Sequence, residues 1–112
     1  MNVSELVPAP VAHESFMRNR CRFVPNLPGC YALATFPGEV LYVGLTVDLR
    51  RRMNEHLDSE QKTGLTEHGR AIFFYWWQGE NVHKVERTWM NIYTQHEGGL
   101  PVLNGIYSPT ST

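Results

Sequence analysis

The sequence predicts a small α/β domain of the α+β type, in which helices flank a three-stranded antiparallel sheet. Residues 29–44 have the pattern of a hairpin around a Pro-Gly pair, and residues 72–77 form an apolar run of strand length. Two further segments carry apolar residues at helical spacing. At 112 residues the chain is long enough for one core and too short for two.

Residues 1–24 are predicted to be an N-terminal arm or short helix that precedes the domain. Pro8 and Pro10 block regular structure in the first dozen residues, and residues 13–23 can form a short helix. Pro25 and Pro28 then favour an extended approach to the first strand. We place the domain at residues 25–107 and a loose tail at residues 108–112.

Residues 29–36 and 40–44 are predicted to be the two strands of the hairpin. Pro37 and Gly38 are expected to form the central pair of a type II turn, because proline presets the first torsion and glycine accepts a positive φ at the second. Alternation places Tyr31 on one face of the first strand and Tyr42 on one face of the second. If the register pairs these faces, both hydroxyls point the same way.

The first predicted helix covers residues 49–57, after a capping residue that is Thr46 or Asp48. Its apolar face also carries Arg52 and His56. Polar groups directed toward the tyrosines of the sheet are more typical of a functional site than of a core. The polar residues 58–70 are predicted to be a surface connection.

The second predicted helix begins near Val82 and stops at Gly98, where a glycine readily adopts the left-handed cap. Glu86 lies at the border of its apolar arc. A half-buried carboxylate needs a paired cation, a bound metal or a proton. From the residues alone, an ion pair with Arg52 is favoured over a metal ligand.

The composition indicates a folded protein, with 42% hydrophobic and 12% aromatic residues. No apolar run approaches the roughly 20 residues of a membrane helix, and no secretory leader is evident, so no membrane partner is expected and a cytoplasmic location follows by default. Cys21 and Cys30 lack the spacing of a zinc site and are predicted to be structural thiols.

The net charge of −1 is unfavourable for nucleic-acid binding, in which phosphate neutralisation dominates. Six of the ten basic residues, however, fall into two short clusters, which could create a local positive face: Arg18, Arg20, Arg22, Arg50, Arg51 and Arg52. Weak, salt-sensitive binding is the expectation.

Two glycine-tyrosine tripeptides are separated by a hairpin and followed in order by an arginine, a histidine, a glutamate and an asparagine: Gly29-Cys30-Tyr31, Tyr42-Val43-Gly44, Arg52, His56, Glu86 and Asn104. This order resembles the GIY-YIG endonuclease family over roughly three quarters of the chain. The resemblance implies the catalytic domain of a nuclease that hydrolyses phosphodiester bonds in DNA.

The resemblance also implies roles for the residues. Glu86 would hold a single divalent metal, Mg²⁺ or Mn²⁺, and Tyr31 would be the general-base candidate with Tyr42 beside it. Arg52 would grip the phosphate, because a planar guanidinium suits an oxyanion that gains charge in the transition state. His56 would shuttle a proton or bind a phosphate. Further residues expected to bind substrate or support the site are Arg50, Arg51, Gly44 and Asn104.

One departure from the family pattern favours an alternative function. Many relatives have lysine or another polar residue after the second tripeptide, where this chain has Leu45. A catalytically weak or inactive interaction module that keeps the fold is therefore the competing interpretation. Because no DNA-reading element is visible, cleavage specificity would require a homodimer or a separate DNA-reading partner.

Overall fold

The computed structural model describes residues 1–105, and antiparallel strands and helices alternate through them. The strands are Ala12–Ser15 (β1), Gly29–Ala34 (β2), Val40–Thr46 (β3) and Phe73–Gln78 (β4). The helices are Leu49–Leu57 (α1), Glu60–Thr63 (α2) and Val82–Glu97 (α3), with 3₁₀ turns at Val3–Glu5 and Arg18–Phe23. The predicted α+β class is confirmed, while the predicted tail at residues 108–112 lies outside the described residues.

The sheet has four strands in the order β1-β4-β2-β3, so the prediction of three strands is wrong. The additional strand, β1, pairs antiparallel with β4 at the sheet edge, and His13 lies opposite Tyr75. The sequence Ala-His-Glu-Ser has neither strong alternation nor β-branched residues, and an edge strand that is half exposed does not need them. The helix predicted for residues 13–23 is thus a strand followed by a 3₁₀ turn.

The first six residues pack against the hairpin and are not a loose arm, contrary to prediction. Met1, Val3 and Leu6 are buried in the core that α3 covers. The Val3 N–H donates to the Gly38 carbonyl at 2.8 Å, and the Val40 N–H donates to the Met1 carbonyl at 3.0 Å. Residues 6–11, which include both prolines, form no helix or strand, but the 3₁₀ turn before them and the burial of the apolar side chains were not predicted.

The β2–β3 turn is displaced by one residue from the predicted position. The Gly38 N–H donates to the Thr35 carbonyl at 2.9 Å, which makes Phe36 and Pro37 the central pair. Gly38 follows them with φ of +98°, the conformation typical of a three-residue hairpin loop. The turn therefore needs a glycine, as predicted, but at the residue that follows the central pair and not within the pair.

The register places both tyrosines on one face of the sheet. Tyr31 lies opposite Gly44, and Leu33 lies opposite Tyr42. Directly opposed residues of an antiparallel pair share a face. The alternation predicted from the sequence is therefore present in the structure.

Each face of the sheet is covered by a different helix. The face with the tyrosines packs against Leu49 and Met53 of α1, and the other face packs against Val85 and Trp89 of α3. The bounds of α1 and α3 match the predictions, and Asp48 is the cap of α1, because its carboxylate accepts the Arg51 N–H at 3.1 Å. Within residues 1–105, no helix has the length and apolar character to cross a membrane.

Candidate active site

The Tyr31 hydroxyl is the centre of a buried polar cluster. Its oxygen lies 2.6 Å from His56 Nε2, and Arg52 Nε donates to it at 3.3 Å. The Tyr42 ring stacks on the Tyr31 ring with centroids 5.9 Å apart. Because Arg52 donates to the hydroxyl oxygen, the hydroxyl proton is free to donate to His56. The structure thus brings four of the predicted catalytic side chains together: Tyr31, Tyr42, Arg52 and His56.

Burial sets the protonation of this cluster. Tyr31 and His56 are only 1% and 3% exposed. Burial, with Tyr42 adding to it, raises the pKa of the Tyr31 hydroxyl above its usual value despite the opposing effect of Arg52. Burial, followed by the charges of Arg52 and Lys62, lowers the pKa of His56 to about 3. At neutral pH the free protein therefore holds a neutral phenol hydrogen-bonded to a neutral imidazole.

Arg52 is buried, with 6% exposure, and is oriented by two contacts. Its Nη1 lies 3.1 Å from Glu55 Oε1, and its Nε contacts the Tyr31 hydroxyl. Glu55 is one turn away on the same helix. The ion pair favoured by the residues alone, between Arg52 and Glu86, does not form in the structure.

Glu86 lies on α3, the helix that covers the opposite face of the sheet. Burial raises the pKa of its carboxyl group, and the charges of His83 and Arg87 partly oppose this effect. It is close to Cys30, since burial and then the charge of Glu86 raise the pKa of that thiol to about 12. Throughout residues 1–105 its carboxylate makes no side-chain hydrogen bond or ion pair. Glu86 is therefore not part of the buried polar cluster around the Tyr31 hydroxyl.

The fold and this arrangement agree with a comparison to known families. The model of the GIY-YIG catalytic domain matches residues 27–98, which is more than half of the chain. The chain belongs to the GIY-YIG family. Membership supports a nuclease that acts on phosphodiester bonds, and it confirms the resemblance found in the sequence.

Two similar proteins are both UvrABC system protein C. The protein from Finegoldia magna is 44% identical over 39 residues, which are 35% of the chain and 6% of that relative. The protein from Lactobacillus gasseri is 33% identical over 45 residues, which are 40% of the chain and 8% of that relative. The matched segment thus spans less than a tenth of the length of these relatives.

The glycines of both GIY-YIG signatures lie where a side chain would collide with neighbouring residues, and for Gly44 these are the tyrosines of the site. A Cβ on Gly44 would lie 2.7 Å from the Tyr31 hydroxyl oxygen and 2.8 Å from Tyr42 Cε1. A Cβ on Gly29 would lie 2.5 Å from the Trp77 carbonyl oxygen. Gly44 therefore positions the tyrosines by leaving space for them, which is a supporting role beside the substrate-binding role predicted for it.

Replacing Gly44 with alanine is expected to lower the free energy of unfolding by about 1–3 kcal/mol, as overpacking does in other cores. The added methyl must push the Tyr31 hydroxyl away from His56, so DNA cleavage should fall as well. Urea titration and a plasmid-nicking assay measure the two effects. Gly99→Ala is the control, because an added Cβ there would meet no described atom within 4 Å beyond the adjoining residues. An unchanged Gly44→Ala protein would contradict the packing argument.

Asn104 binds the backbone of β3 beside the second signature. Its Oδ1 accepts the Val43 N–H at 2.9 Å, and its Nδ2 donates to the Val43 carbonyl at 2.8 Å. The amide side chain thereby satisfies the hydrogen bonding of both backbone groups of an edge-strand residue. These contacts fit the support role predicted for Asn104.

Arg50 and Arg51 occupy different environments. Arg50 donates from Nε to the Val24 carbonyl at 2.8 Å and from Nη2 to the Arg22 carbonyl at 3.1 Å, so it ties α1 to the preceding loop. The Arg51 side chain is 52% exposed and lies 3.9 Å from Glu55. Of the two, Arg51 is the one open to a DNA backbone, and substrate binding by either stays a prediction.

Lys62 is a site residue that the sequence analysis missed. It lies on α2, within the segment predicted to be a surface connection, yet it is only 4% exposed. Its Nζ lies 4.9 Å from the centroid of the Tyr42 ring. A lysine among polar residues gives no sequence signal of burial. The only hint is the capping pattern at Ser59, whose side chain accepts the Lys62 N–H.

The lowered pKa of His56 predicts a specific loss of stability in acid. The unfolded chain takes up the proton near pH 6.5, whereas the folded chain resists it down to about 3. The stabilisation is therefore complete above about pH 6.5 and declines as the pH falls, by at most about 1.4 kcal/mol per unit. Urea unfolding at pH 7.5 and 5.0 should show a smaller difference for His56→Gln than for the parent protein.

The control for this pH dependence is His68→Gln. The His68 side chain is 43% exposed and lies outside the Tyr31 cluster, so this variant shows what the loss of a surface histidine alone does to the pH dependence. Equal pH dependence in His56→Gln and the parent protein would show that His56 titrates normally.

Proposed function

We propose that this chain is a metal-dependent DNA endonuclease that hydrolyses phosphodiester bonds with one divalent cation held by Glu86. The observation that carries the proposal is the buried contact of the Tyr31 hydroxyl with both His56 and Arg52. A phenol, an imidazole and a guanidinium at one point supply a proton path and a positive charge. Phosphodiester hydrolysis needs both.

The protein groups have separate tasks in this mechanism. Arg52 binds the scissile phosphate and stabilises the charge that develops on its oxygens. The Tyr31 oxygen accepts a proton from the attacking water while the Tyr31 hydroxyl proton passes to His56 Nε2. The resulting hydroxide displaces the leaving alkoxide, and the imidazolium is stabilised by the bound phosphate. The raised pKa of the free Tyr31 requires such a relay, because a phenolate does not form beforehand.

Glu86 is the proposed carboxylate ligand, although it lies on α3, which covers the face of the sheet opposite Tyr31 and Arg52. A cation on Glu86 would therefore have to reach the phosphate through its own waters or through the phosphate oxygens. The Glu86 carboxyl group is half-buried, and burial raises its pKa, so a cation would stabilise the charged form. Within residues 1–105 no group of three or more potential ligands occurs, so a cation on Glu86 would need water and phosphate oxygens as its other ligands. When bound, Mg²⁺ or Mn²⁺ would neutralise phosphoryl charge and lower the pKa of water.

Nicking of supercoiled plasmid, with and without EDTA, tests the function. Cleavage is expected with Mg²⁺ or Mn²⁺ and should disappear when the chelator is added. Cleavage that persists in EDTA would contradict the metal requirement. Linear and branched DNA belong in the same assay because the structure favours no DNA form.

A second candidate is an interaction module that keeps the fold and binds nucleic acid without cutting it. The net charge of −1 and the apolar Leu45 after Gly44 favour this candidate. DNA binding without cleavage under any metal condition would support it. In both cases DNA is the proposed partner. A homodimer or a separate DNA-reading protein would supply specificity. A cytoplasmic location stays a prediction.

A further inference from the structure

We propose that Lys62 is a phosphate-binding residue of this site, which contacts the same phosphoryl group as Arg52. The inference rests on the proposed nuclease function and adds a residue to it. Three observations support it: the position of the lysine, the absence of a counter-ion and the fold that turns it inward.

The position of Lys62 is set by the short helix that follows α1. Ser59 caps this helix, since its backbone carbonyl accepts the Thr63 N–H at 3.1 Å and its hydroxyl accepts the Lys62 N–H at 3.3 Å. The chain thereby turns back over the end of α1, where His56 lies. The ammonium group then rests over the Tyr42 ring, 4.9 Å from its centroid.

Lys62 and Arg52 are two buried cations that share this region. Arg52 contacts the Tyr31 hydroxyl, and Lys62 lies over the Tyr42 ring that stacks on Tyr31. Burial and then the charge of Arg52 lower the pKa of Lys62. Glu55 pairs with Arg52 and with Arg51, and no carboxylate pairs with Lys62 in the described part of the chain. Two neighbouring cations with little water are unfavourable unless an anion joins them.

A phosphodiester is an anion that suits this arrangement. Arg52 from α1 contacts the Tyr31 hydroxyl, and Lys62 from α2 lies over the ring of Tyr42, which stacks on Tyr31. A phosphate beside these two tyrosines would therefore have a cation on two sides. Lys62 therefore supplies a second positive charge from a different element of the fold.

A purely structural role for Lys62 makes the opposite prediction about stability. A lysine over an aromatic ring can stabilise a fold by the cation–π interaction. Its removal should then destabilise the protein. If Lys62 instead serves to bind a phosphate, its replacement by an apolar side chain of similar length should leave the fold equally stable or more stable.

The test compares Lys62→Met and Lys62→Arg with Lys84→Met, which changes the exposed lysine of α3. For Lys62→Met we expect an unchanged or higher thermal midpoint together with plasmid cleavage about 10²-fold slower, as for the loss of one transition-state donor. Lys62→Arg should recover part of the rate because it retains the charge. Lys84→Met should match the parent protein in both measurements.

Binding of uncleaved duplex DNA in EDTA separates this inference from the proposed function. Loss of one phosphate contact should reduce the slope of log K against log salt by about 0.9. A lower slope in Lys62→Met would support the phosphate contact even if the parent protein cut no DNA. If the parent protein cleaves DNA and Lys62→Met retains both the full cleavage rate and the full salt slope, the role of Lys62 is overturned while the proposed function stands. A lower thermal midpoint with an unchanged slope would assign it a structural role.

Discussion

Replacement of Glu86 by glutamine is expected to reduce metal-dependent DNA cleavage by about 10³-fold or more, because the change removes the one carboxylate proposed to hold the cation. Glutamine retains the size and hydrogen-bonding capacity of the side chain but not its charge. The carboxylate is half-buried and makes no side-chain ion pair within residues 1–105, so the fold should not depend on it. The thermal midpoint should stay the same or rise.

The control is Glu80→Gln, which alters the net charge equally at an exposed position just before α3. Mn²⁺ binding, followed by calorimetry, should be weakened in Glu86→Gln and retained in Glu80→Gln. Plasmid nicking with Mg²⁺ and with Mn²⁺ completes the comparison. Undiminished cleavage by Glu86→Gln would exclude the single-metal mechanism, whatever the other variants do.

Replacement of Tyr31 by phenylalanine is expected to slow cleavage by about 10²- to 10⁴-fold, the range typical of general acid–base groups. The aromatic ring remains, with its stacking on Tyr42 and on Phe74 at 5.9 and 5.0 Å between centroids. What disappears is the hydroxyl that contacts His56 and Arg52. The proton path from water to His56 is thereby broken.

The same substitution removes the hydrogen-bond partner of His56 Nε2 and of Arg52 Nε, so it should also lower the free energy of unfolding by about 1–3 kcal/mol. Cleavage should therefore be measured well below the thermal midpoint of the variant. Tyr75→Phe is the control, since that half-buried tyrosine stacks on His13 at the other side of the sheet. Full activity of Tyr31→Phe in folded protein would remove Tyr31 from the mechanism and direct attention to Tyr42.

The arginine clusters show why charge patterns are weak predictors of DNA contacts. The sequence predicted a positive face from six arginines. In the structure Arg18 and Arg20 pair with Asp58 and Glu14, and Arg50 binds backbone carbonyls. An arginine can satisfy a carbonyl, a carboxylate or a phosphate, and only the neighbours brought in by folding decide which. A modest affinity for DNA remains the expectation.

Glu86, the proposed metal ligand, shows a similar division between sequence and structure. Helical spacing correctly placed Glu86 at the edge of the buried arc of α3. Spacing cannot tell which face of the sheet that helix covers, and α1 and α3 cover opposite faces. The sequence therefore identified the candidate, while its partners depend on how the helices pack.

The sequence by itself determined the family, the α+β class, the bounds of α1 and α3, and the common face of Tyr31 and Tyr42. These features follow from local rules, namely side-chain alternation in strands, the period of a helix and the need for glycine where space is lacking. Only the tertiary structure decided the fourth strand, the buried N-terminal residues and the inward turn of Lys62. Each depends on contacts between segments far apart in the chain, and such contacts outweigh weak local preferences.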